Sequence, residues 1–201
     1  MSMDNLLIEK EYNDIEYIGL CKKFNTKPLY TKVDLNFEDK DFFSRMKDLV
    51  TSDRRGEVVF CVIRPNGKII TTTCESYPKN IYRIPTGGLG YGEDIIKAVF
   101  REVKEELGLD VEIIKFGGLI KINFIYCEDS FIFNSYIFIL KEIRGRLLLD
   151  SLDDEISDIK EATVEELEII VEKLKQIKSR WKDWGRFRYI TSKKIVELLK
   201  C

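Results

Sequence analysis

Three carboxylates are crowded into one short stretch of this chain, shortly after a glycine-rich turn. Glu102, Glu105 and Glu106 would share one face of a helix. Like charges at that spacing destabilise an exposed helix by roughly 0.2–0.5 kcal/mol per pair, and partial burial without a counter-charge costs more. A cation should therefore bind beside them, and Mg²⁺ is commonly held by a few carboxylates together with substrate phosphates.

The turn before this helix suits an anionic ligand. Four glycines follow Pro85 closely, namely Gly87, Gly88, Gly90 and Gly92. They allow the backbone to approach a ligand or a metal without obstruction, and the turn leads into a helix N-terminus, where free N–H groups favour anions. The spacing matches neither a nucleotide P-loop nor the dinucleotide-binding glycine pattern. Turn and helix together predict a metal-assisted phosphate site.

The helix is predicted to run from about Asp94 to Leu107 and to end at Gly108. At about 100° per residue, its apolar arc contains Ile95, Ile96, Val99, Phe100, Val103 and Leu107. The three glutamates lie at the flank of this arc rather than beside the helix lysines. Arg101 can pair with Glu105 at i+4, but one guanidinium cannot neutralise three carboxylates.

The chain has no histidine. This removes the commonest general base, the histidine-activated nucleophiles and every histidine-based zinc site. The five cysteines are scattered without a CxxC pair, so we expect neither a disulfide framework nor a zinc site, and we expect Cys61 to be buried in a strand. Acid–base and metal chemistry must therefore rest mainly on Asp and Glu.

The length of 201 residues and the net charge of −2 are typical of a globular protein and give no reason to expect a polyanion-binding one. The first residues lack the basic and apolar regions of a signal peptide. The most apolar stretch, from Phe131 to Leu140, is too short to span a bilayer. We therefore expect a soluble, cytoplasmic protein.

Residues 1–54 are predicted as an N-terminal extension, which packs either on the main domain of residues 55–201 or on a second subunit of a homodimer. The extension should contain strands at Ile15 to Leu20 and Leu29 to Leu35 and a helix from about Glu38 to Val50. The polar run from Thr51 to Gly56 marks the boundary.

The main domain alternates strands with helices. Asn66-Gly67 between β-branched runs predicts a hairpin, and Thr163 to Glu166 forms a capping box that opens a later helix. Further elements are predicted as strands at about 111–114, 119–126 and 131–140 and a last helix at about 192–199. This order indicates an α/β or α+β sandwich with a sheet between helices.

The turn and helix resemble the Nudix box, which appears here as Gly87, five residues, Glu93, seven residues, and then Arg101-Glu102-Val103-Lys104-Glu105-Glu106-Leu107-Gly108-Leu109. Every defined position of the box is present. A weaker similarity extends over about residues 57–170, and the first fifty-odd residues lie outside it. The resemblance implies a Nudix-type α/β/α sandwich with a mixed sheet. It also implies a pyrophosphohydrolase that cleaves a nucleoside diphosphate linked to another group, with Mg²⁺ or Mn²⁺ as cofactor.

The resemblance also implies roles for single residues. The family's metal-binding glutamates correspond to Glu102, Glu105 and Glu106, the arginine that orients them to Arg101, and the glutamate that braces loop and helix to Glu93. The turn whose backbone carbonyl can reach the metal, and which contacts substrate, corresponds to Thr86, Gly87 and Gly88, although Thr86 replaces a common glycine.

Two assignments stay open. The general base that activates water is expected at Glu155 in the acidic loop from Asp150 to Asp158, with Glu105 or a purely solvated role for Glu155 as the alternatives. Arg83 precedes the glycine turn and either faces phosphate or makes a surface salt bridge.

The segment from Lys173 to Lys194 is basic and carries four aromatic residues, Trp181, Trp184, Phe187 and Tyr189. Such a pattern can bind nucleic acid, but the aromatic residues more often anchor a terminal helix. We therefore expect a small nucleotide derivative as substrate, with no nucleic acid or membrane partner. Two alternatives are an enzyme that processes RNA ends and a nucleotide-sensing module without turnover, although such modules tend to lose box glutamates.

Overall fold

A computed structural model describes residues 15–27, 30–148 and 156–201 and shows helices on both faces of a mixed sheet. The strands are β1 (Tyr30–Asn36), β2 (Arg54–Ile63), β3 (Ile69–Thr73), β4 (Thr86–Gly90), β5 (Leu109–Tyr126), β6 (Asp129–Gly145) and β7 (Asp158–Ala162). The helices are α1 (residues 15–23 of its described part), α2 (Lys40–Ser52), α3 (Ile95–Leu107), α4 (Val164–Gln176) and α5 (Lys182–Leu199), with a 3₁₀ turn at Ser179–Trp181 before α5.

The sheet follows the order β1-β5-β6-β2-β3-β7, and β4 pairs with β2 beside this path. The pairs β1–β5 and β2–β6 are parallel, whereas the others are antiparallel. Alternate residues of β2 enter two cores, because successive side chains of a strand point to opposite faces. Val59 and Cys61 pack with α2, α4 and α5, while Val58, Phe60 and Val62 pack with α1 and α3. The predicted α/β/α sandwich is confirmed.

Local signals place several elements where they were predicted. Asn66 and Gly67 form the turn between β2 and β3, and Gly67 adopts the positive φ of 78° that favours glycine. Asp94 caps α3, Gly108 ends it in the left-handed conformation at φ 71°, and the capping box of Thr163 and Glu166 opens α4. Cys61 is fully buried in β2, and this burial raises the pKa of its thiol.

Other expectations are corrected. Ile15 to Leu20 is helical rather than extended, because Tyr17, Leu20 and Cys21 present one buried face at helical spacing. Phe100 is 42% exposed and therefore does not belong to the buried face of α3, whereas Ala98, which was not assigned to the apolar arc, is buried. The last helix begins ten residues earlier than predicted, at Lys182 rather than Ser192. The strands predicted at 111–114 and 119–126 are both parts of β5, and the pairing of β5 with β6 shifts register between them. The strand predicted at 131–140 is longer than expected and forms β6.

The N-terminal residues contribute to the same sheet and core. β1 pairs in parallel with β5, and α2 packs Phe43 and Met46 into the core. Asp183 of α5 is buried, and its Oδ2 accepts hydrogen bonds from the backbone N–H groups of Glu38 at 2.7 Å and Asp39 at 2.8 Å. The polar run at 51–56 contains the end of α2 and the start of β2. The division of the chain at residue 54 stays a prediction.

Among the described residues, no helix combines the length and apolar character needed to cross a membrane.

Candidate active site

The glycine strand, helix α3 and the first half of β2 border a cleft of about 540 Å³. Parts of α2 and α5 also line it, so the cleft combines the box with residues far from it in sequence. Its charged lining comprises Asp53, Arg54, Glu57, Arg83, Glu93, Arg101, Glu102, Glu105, Glu106 and Arg188. Met46, Leu49, Phe133 and Ile156 supply apolar surface.

Gly87 lies directly against Glu102. A Cβ atom at Gly87 would lie 2.1 Å from Cδ of Glu102, so any larger residue there would force the Glu102 side chain to move. A Cβ at Gly88 would lie 3.0 Å from Cζ of Arg54. Glycine at position 87 therefore lets the backbone of β4 lie directly against the carboxylate of Glu102 in its present position.

Helix α3 holds the three glutamates in two different environments. Glu102 and Glu106, four residues apart, are 9% and 8% exposed, whereas Glu105 faces solvent. They flank the residues that α3 packs into the core, which include Val99 and Val103. The position expected from the helical wheel is thus confirmed for Glu102 and Glu106.

Arg101 connects the helix to the glycine strand. Its Nη1 donates to Glu102 Oε1 at 2.8 Å and to Glu105 Oε2 at 2.9 Å. Its Nε donates to Glu93 Oε1 at 2.8 Å, and Nη2 donates to the carbonyl oxygen of Gly88 at 3.0 Å. Glu93 Oε2 in turn accepts a hydrogen bond from the backbone N–H of Gly90 at 3.0 Å. Strand, turn and helix are therefore held in one arrangement by a single guanidinium.

This environment shifts the pKa values of Glu102 and Glu93 in opposite directions. Burial raises the pKa of Glu102, although the charge and hydrogen bond of Arg101 oppose the rise. The pKa of Glu93 is lowered, chiefly by its hydrogen bonds from Arg101. Glu102 therefore sits where a charged carboxylate is costly unless a cation is close to it.

The donor set fits a hard divalent cation by type. Carboxylate oxygens and a backbone carbonyl are the ligands that Mg²⁺ prefers, and the close approach of Gly87 brings the main chain to Glu102. In the part of the chain that the structure describes, no group of three or more acidic or cysteine side chains is already arranged to hold a metal ion. Arg101 donates to one oxygen of Glu102 and to one oxygen of Glu105, so the second oxygen of each carboxylate would be left for a cation.

Arg83 is buried at the cleft, so the surface salt bridge considered for it is wrong. Its Nε donates to Tyr77 Oη at 3.1 Å, and its Nη1 donates to the carbonyl oxygen of Ile84 at 3.0 Å and to Thr86 Oγ1 at 3.2 Å. Arg83 also interacts electrostatically with Glu106. The guanidinium of Arg83 therefore lies on the same side of the cleft as the box glutamates and holds the side chain of Thr86 by a hydrogen bond.

Four charged residues of the cleft were missed by sequence reasoning, namely Asp53, Arg54, Glu57 and Arg188. Glu57 of β2 is buried, and its Oε1 accepts a hydrogen bond from Ser135 Oγ at 2.8 Å. Its Oε2 accepts one from Arg188 Nη1 of α5 at 2.6 Å. These partners are remote in sequence, and Arg188 falls in the basic segment that was considered for nucleic acid binding. Only the basic character of that segment pointed to it.

The aromatic residues of the basic segment anchor α5. Phe187 is fully buried, and Trp184 packs on Tyr77 with 4.3 Å between ring centroids. Buried rings cannot stack on nucleic acid bases, so the structure favours the anchoring interpretation. Glu155, the expected general base, lies outside the described residues, as does most of the acidic loop.

Comparison with known proteins gives one family match. The family model of the NUDIX domain matches residues 53–185. A comparison with curated proteins finds no match. Among solved structures, an ADP-ribose pyrophosphatase from Streptococcus suis is 13% identical with a TM-score of 0.46, covering 72% of this chain and 91% of its own. A UDP-X diphosphatase is 13% identical with a TM-score of 0.43, covering 65% of this chain and 62% of its own. These values describe overall similarity and identify no substrate.

Proposed function

The chain belongs to the Nudix hydrolase family, and from this premise we propose that it hydrolyses the diphosphate linkage of a nucleoside diphosphate joined to another group, with Mg²⁺ or Mn²⁺ as cofactor. One observation supports this proposal above the others. Two carboxylates at i and i+4, Glu102 and Glu106, are buried at the border of a cleft, and Glu102 lies so close to Gly87 that a Cβ atom there would displace it. A solvated helix face would not bury them.

In this proposal Glu102, Glu105 and Glu106 hold the cation, together with the backbone carbonyl of Thr86. A bound divalent cation polarises phosphoryl oxygens and lowers the pKa of a bound water. Arg101 keeps Glu102 and Glu105 on one side of α3, and Glu93 keeps Arg101 in place. Gly87 and Gly88 leave room for the substrate beside the main chain.

Two glutamates are candidates for the base that takes a proton from the attacking water. Glu105 is exposed at the cleft and already lies on the helix of the box. Glu155 belongs to the acidic stretch from Asp150 to Asp158, most of which lies outside the described residues. Glu155→Gln separates them: if Glu155 is the base, this variant loses turnover while its affinity for a non-hydrolysable diphosphate stays close to wild type, and if its turnover is unchanged, the base is Glu105.

The proposal is tested with a panel of compounds that share a diphosphate and differ in the attached group. The panel contains nucleotide sugars, ADP-ribose, dinucleoside polyphosphates, oxidised deoxynucleoside triphosphates and capped RNA, each assayed with Mg²⁺, Mn²⁺ and excess chelator. We expect metal-dependent release of a nucleotide from at least one small compound. Absence of turnover throughout would contradict the proposal and favour a sensing module, whereas turnover of capped RNA alone would favour RNA-end processing.

A further inference from the structure

The pair of Arg188 and Glu57 lies in the cleft but belongs neither to the box nor to its neighbouring residues. Arg188 reaches the cleft from α5, and Glu57 from β2, and their side chains are 14% and 4% exposed. The two residues are 131 positions apart in the chain. Their meeting therefore depends on the fold, in which the C-terminal helix closes one side of the cleft.

Arg188 has hydrogen-bonding capacity that the described part of the chain does not use. Its Nη1 donates to Glu57, whereas its Nε is buried without a hydrogen-bond partner among the described residues. Leaving a buried donor unsatisfied costs about 1–3 kcal/mol. A buried ion pair that served only stability would be expected to satisfy its remaining donors. The unused donor therefore points to a ligand that enters the cleft.

The neighbours of Arg188 place it in a row with the box. Tyr77 interacts electrostatically with both Arg83 and Arg188, and Arg83 interacts with Glu106. These interactions connect the box glutamates of α3 to α5 in the order Glu106, Arg83, Tyr77 and Arg188. Arg83 already donates hydrogen bonds to Tyr77, Ile84 and Thr86. Arg188 is therefore the better placed of the two arginines to donate to a ligand.

We propose that Arg188 is a substrate-binding residue that donates to an oxyanion of the substrate's diphosphate, with Glu57 fixing its orientation. This inference rests on the proposed function, since it assigns a ligand group to the same cleft. The edge of the guanidinium that contains Nε presents two parallel donors, which match the oxygens of a phosphoryl group. On the other edge of the guanidinium, Nη1 of Arg188 donates to Oε2 of Glu57, and the hydroxyl of Ser135 donates to Oε1 of Glu57.

Binding of two non-hydrolysable ligands, methylenediphosphonate and α,β-methylene-ADP, tests this inference without turnover. Calorimetry in Mg²⁺ would compare wild type with Arg188→Met/Glu57→Gln, a double variant that leaves no unpaired charge in the cleft. A charged hydrogen bond contributes about 1.5–3 kcal/mol, so we expect the Kd of both ligands to rise about 10- to 100-fold. Arg188→Lys keeps the charge but loses the pair of parallel N–H donors, and should weaken binding to a smaller extent than the double variant does.

Two further variants serve as controls. Glu57→Gln retains Arg188 but removes the charge that orients it, and should weaken the binding of both ligands less than the double variant does. Arg180→Met removes the same charge from an exposed position, where the guanidinium packs 5.7 Å from the ring centroid of Trp181, and should change nothing. Thermal unfolding of each variant reports whether the fold is retained, and Arg188→Lys supplies the test if the double variant is unfolded.

Unchanged affinity in folded Arg188 variants would overturn the inference, and so would a loss confined to α,β-methylene-ADP, because Arg188 would then contact the nucleoside instead. With a hydrolysed substrate in hand, Arg188→Lys should raise KM more than it lowers kcat. If wild type binds both ligands through Arg188 but hydrolyses no compound, the proposed function fails while the assignment of Arg188 stands.

Discussion

A Cβ atom at Gly87 would lie 2.1 Å from Cδ of Glu102, so the glycine strand and the carboxylate helix meet without room for a methyl group. This contact explains why the turn and the helix occur together in the sequence. Glycine at position 87 allows the main chain to lie directly against the carboxylate of Glu102. The account of the active site depends on that contact.

Gly87→Ala should therefore displace Glu102 and reduce kcat/KM about 100-fold or more, since a shift of about 1 Å at a catalytic group can have an effect of that size. Gly90→Ala is the matched control, because its Cβ would meet Glu93 Oε2 at an ordinary 3.6 Å. Steady-state kinetics on the best panel substrate compares them. Equal activity of Gly87→Ala and wild type would contradict the geometry described.

Metal binding should stabilise the fold through the same carboxylates. A cation at 100 times its Kd stabilises the native state by about 2.7 kcal/mol. We expect Mg²⁺ or Mn²⁺ to raise the Tm of wild type, and Glu102→Gln to reduce or abolish that rise. Glu168→Gln, which removes an exposed carboxylate paired with Lys200, is the control and should keep it. An equal rise in Glu102→Gln would exclude Glu102 as a ligand.

The Glu93–Arg101 pair makes a prediction about pH. Because Arg101 lowers the pKa of Glu93 in the folded state, the pair stabilises the protein above the ordinary glutamate pKa of about 4.3. That contribution is lost as pH falls through the lower folded-state pKa. Glu93→Gln should therefore destabilise the protein in urea unfolding at neutral pH, and the difference should shrink on acidification. A difference that grows towards low pH would contradict this assignment.

Asp183 links α5 to the start of α2. Its carboxylate is buried and accepts the N–H groups of Glu38 and Asp39 at the start of α2. Asp183→Ala should lower the free energy of unfolding by about 1–3 kcal/mol, because two buried donors lose their acceptor. Glu38→Gln breaks only an exposed pair with Lys182 and should change it little. Equal urea midpoints for these two variants would show that Asp183 does not hold α2.

The sequence was most informative where structure is determined locally. Helix α3 carries its own start and stop signals in Asp94 and Gly108, and its period of 3.6 residues places Glu102 and Glu106 at the edge of the core. The box spacing then identified the family. These features need no knowledge of the rest of the chain, because residues within two turns of a helix fix each other's positions.

Other features depend on contacts that no local pattern reports. The β-branched residues near Ile15 suggested a strand, yet packing of Tyr17 and Leu20 against the sheet selects a helix. Arg188 and Glu57 meet only because α5 packs against β5 and β6, and β6 lies next to β2, so neither residue could be assigned to the cleft from its neighbours in sequence. The substrate-facing side of the site is built from such long-range contacts, which is why the box predicts the reaction better than the substrate.

The most direct test of the account is the initial rate of Glu106→Gln relative to wild type, at saturating Mg²⁺, on the best substrate of the panel. Glu106 is buried at the cleft, and the glutamine is nearly the same size, so the fold should be retained. Because a bound metal contributes several kcal/mol to such a reaction, we expect the rate to fall about 100-fold or more. A Glu106→Gln enzyme that hydrolyses the substrate as fast as wild type would contradict the assignment of Glu102, Glu105 and Glu106 as the metal site.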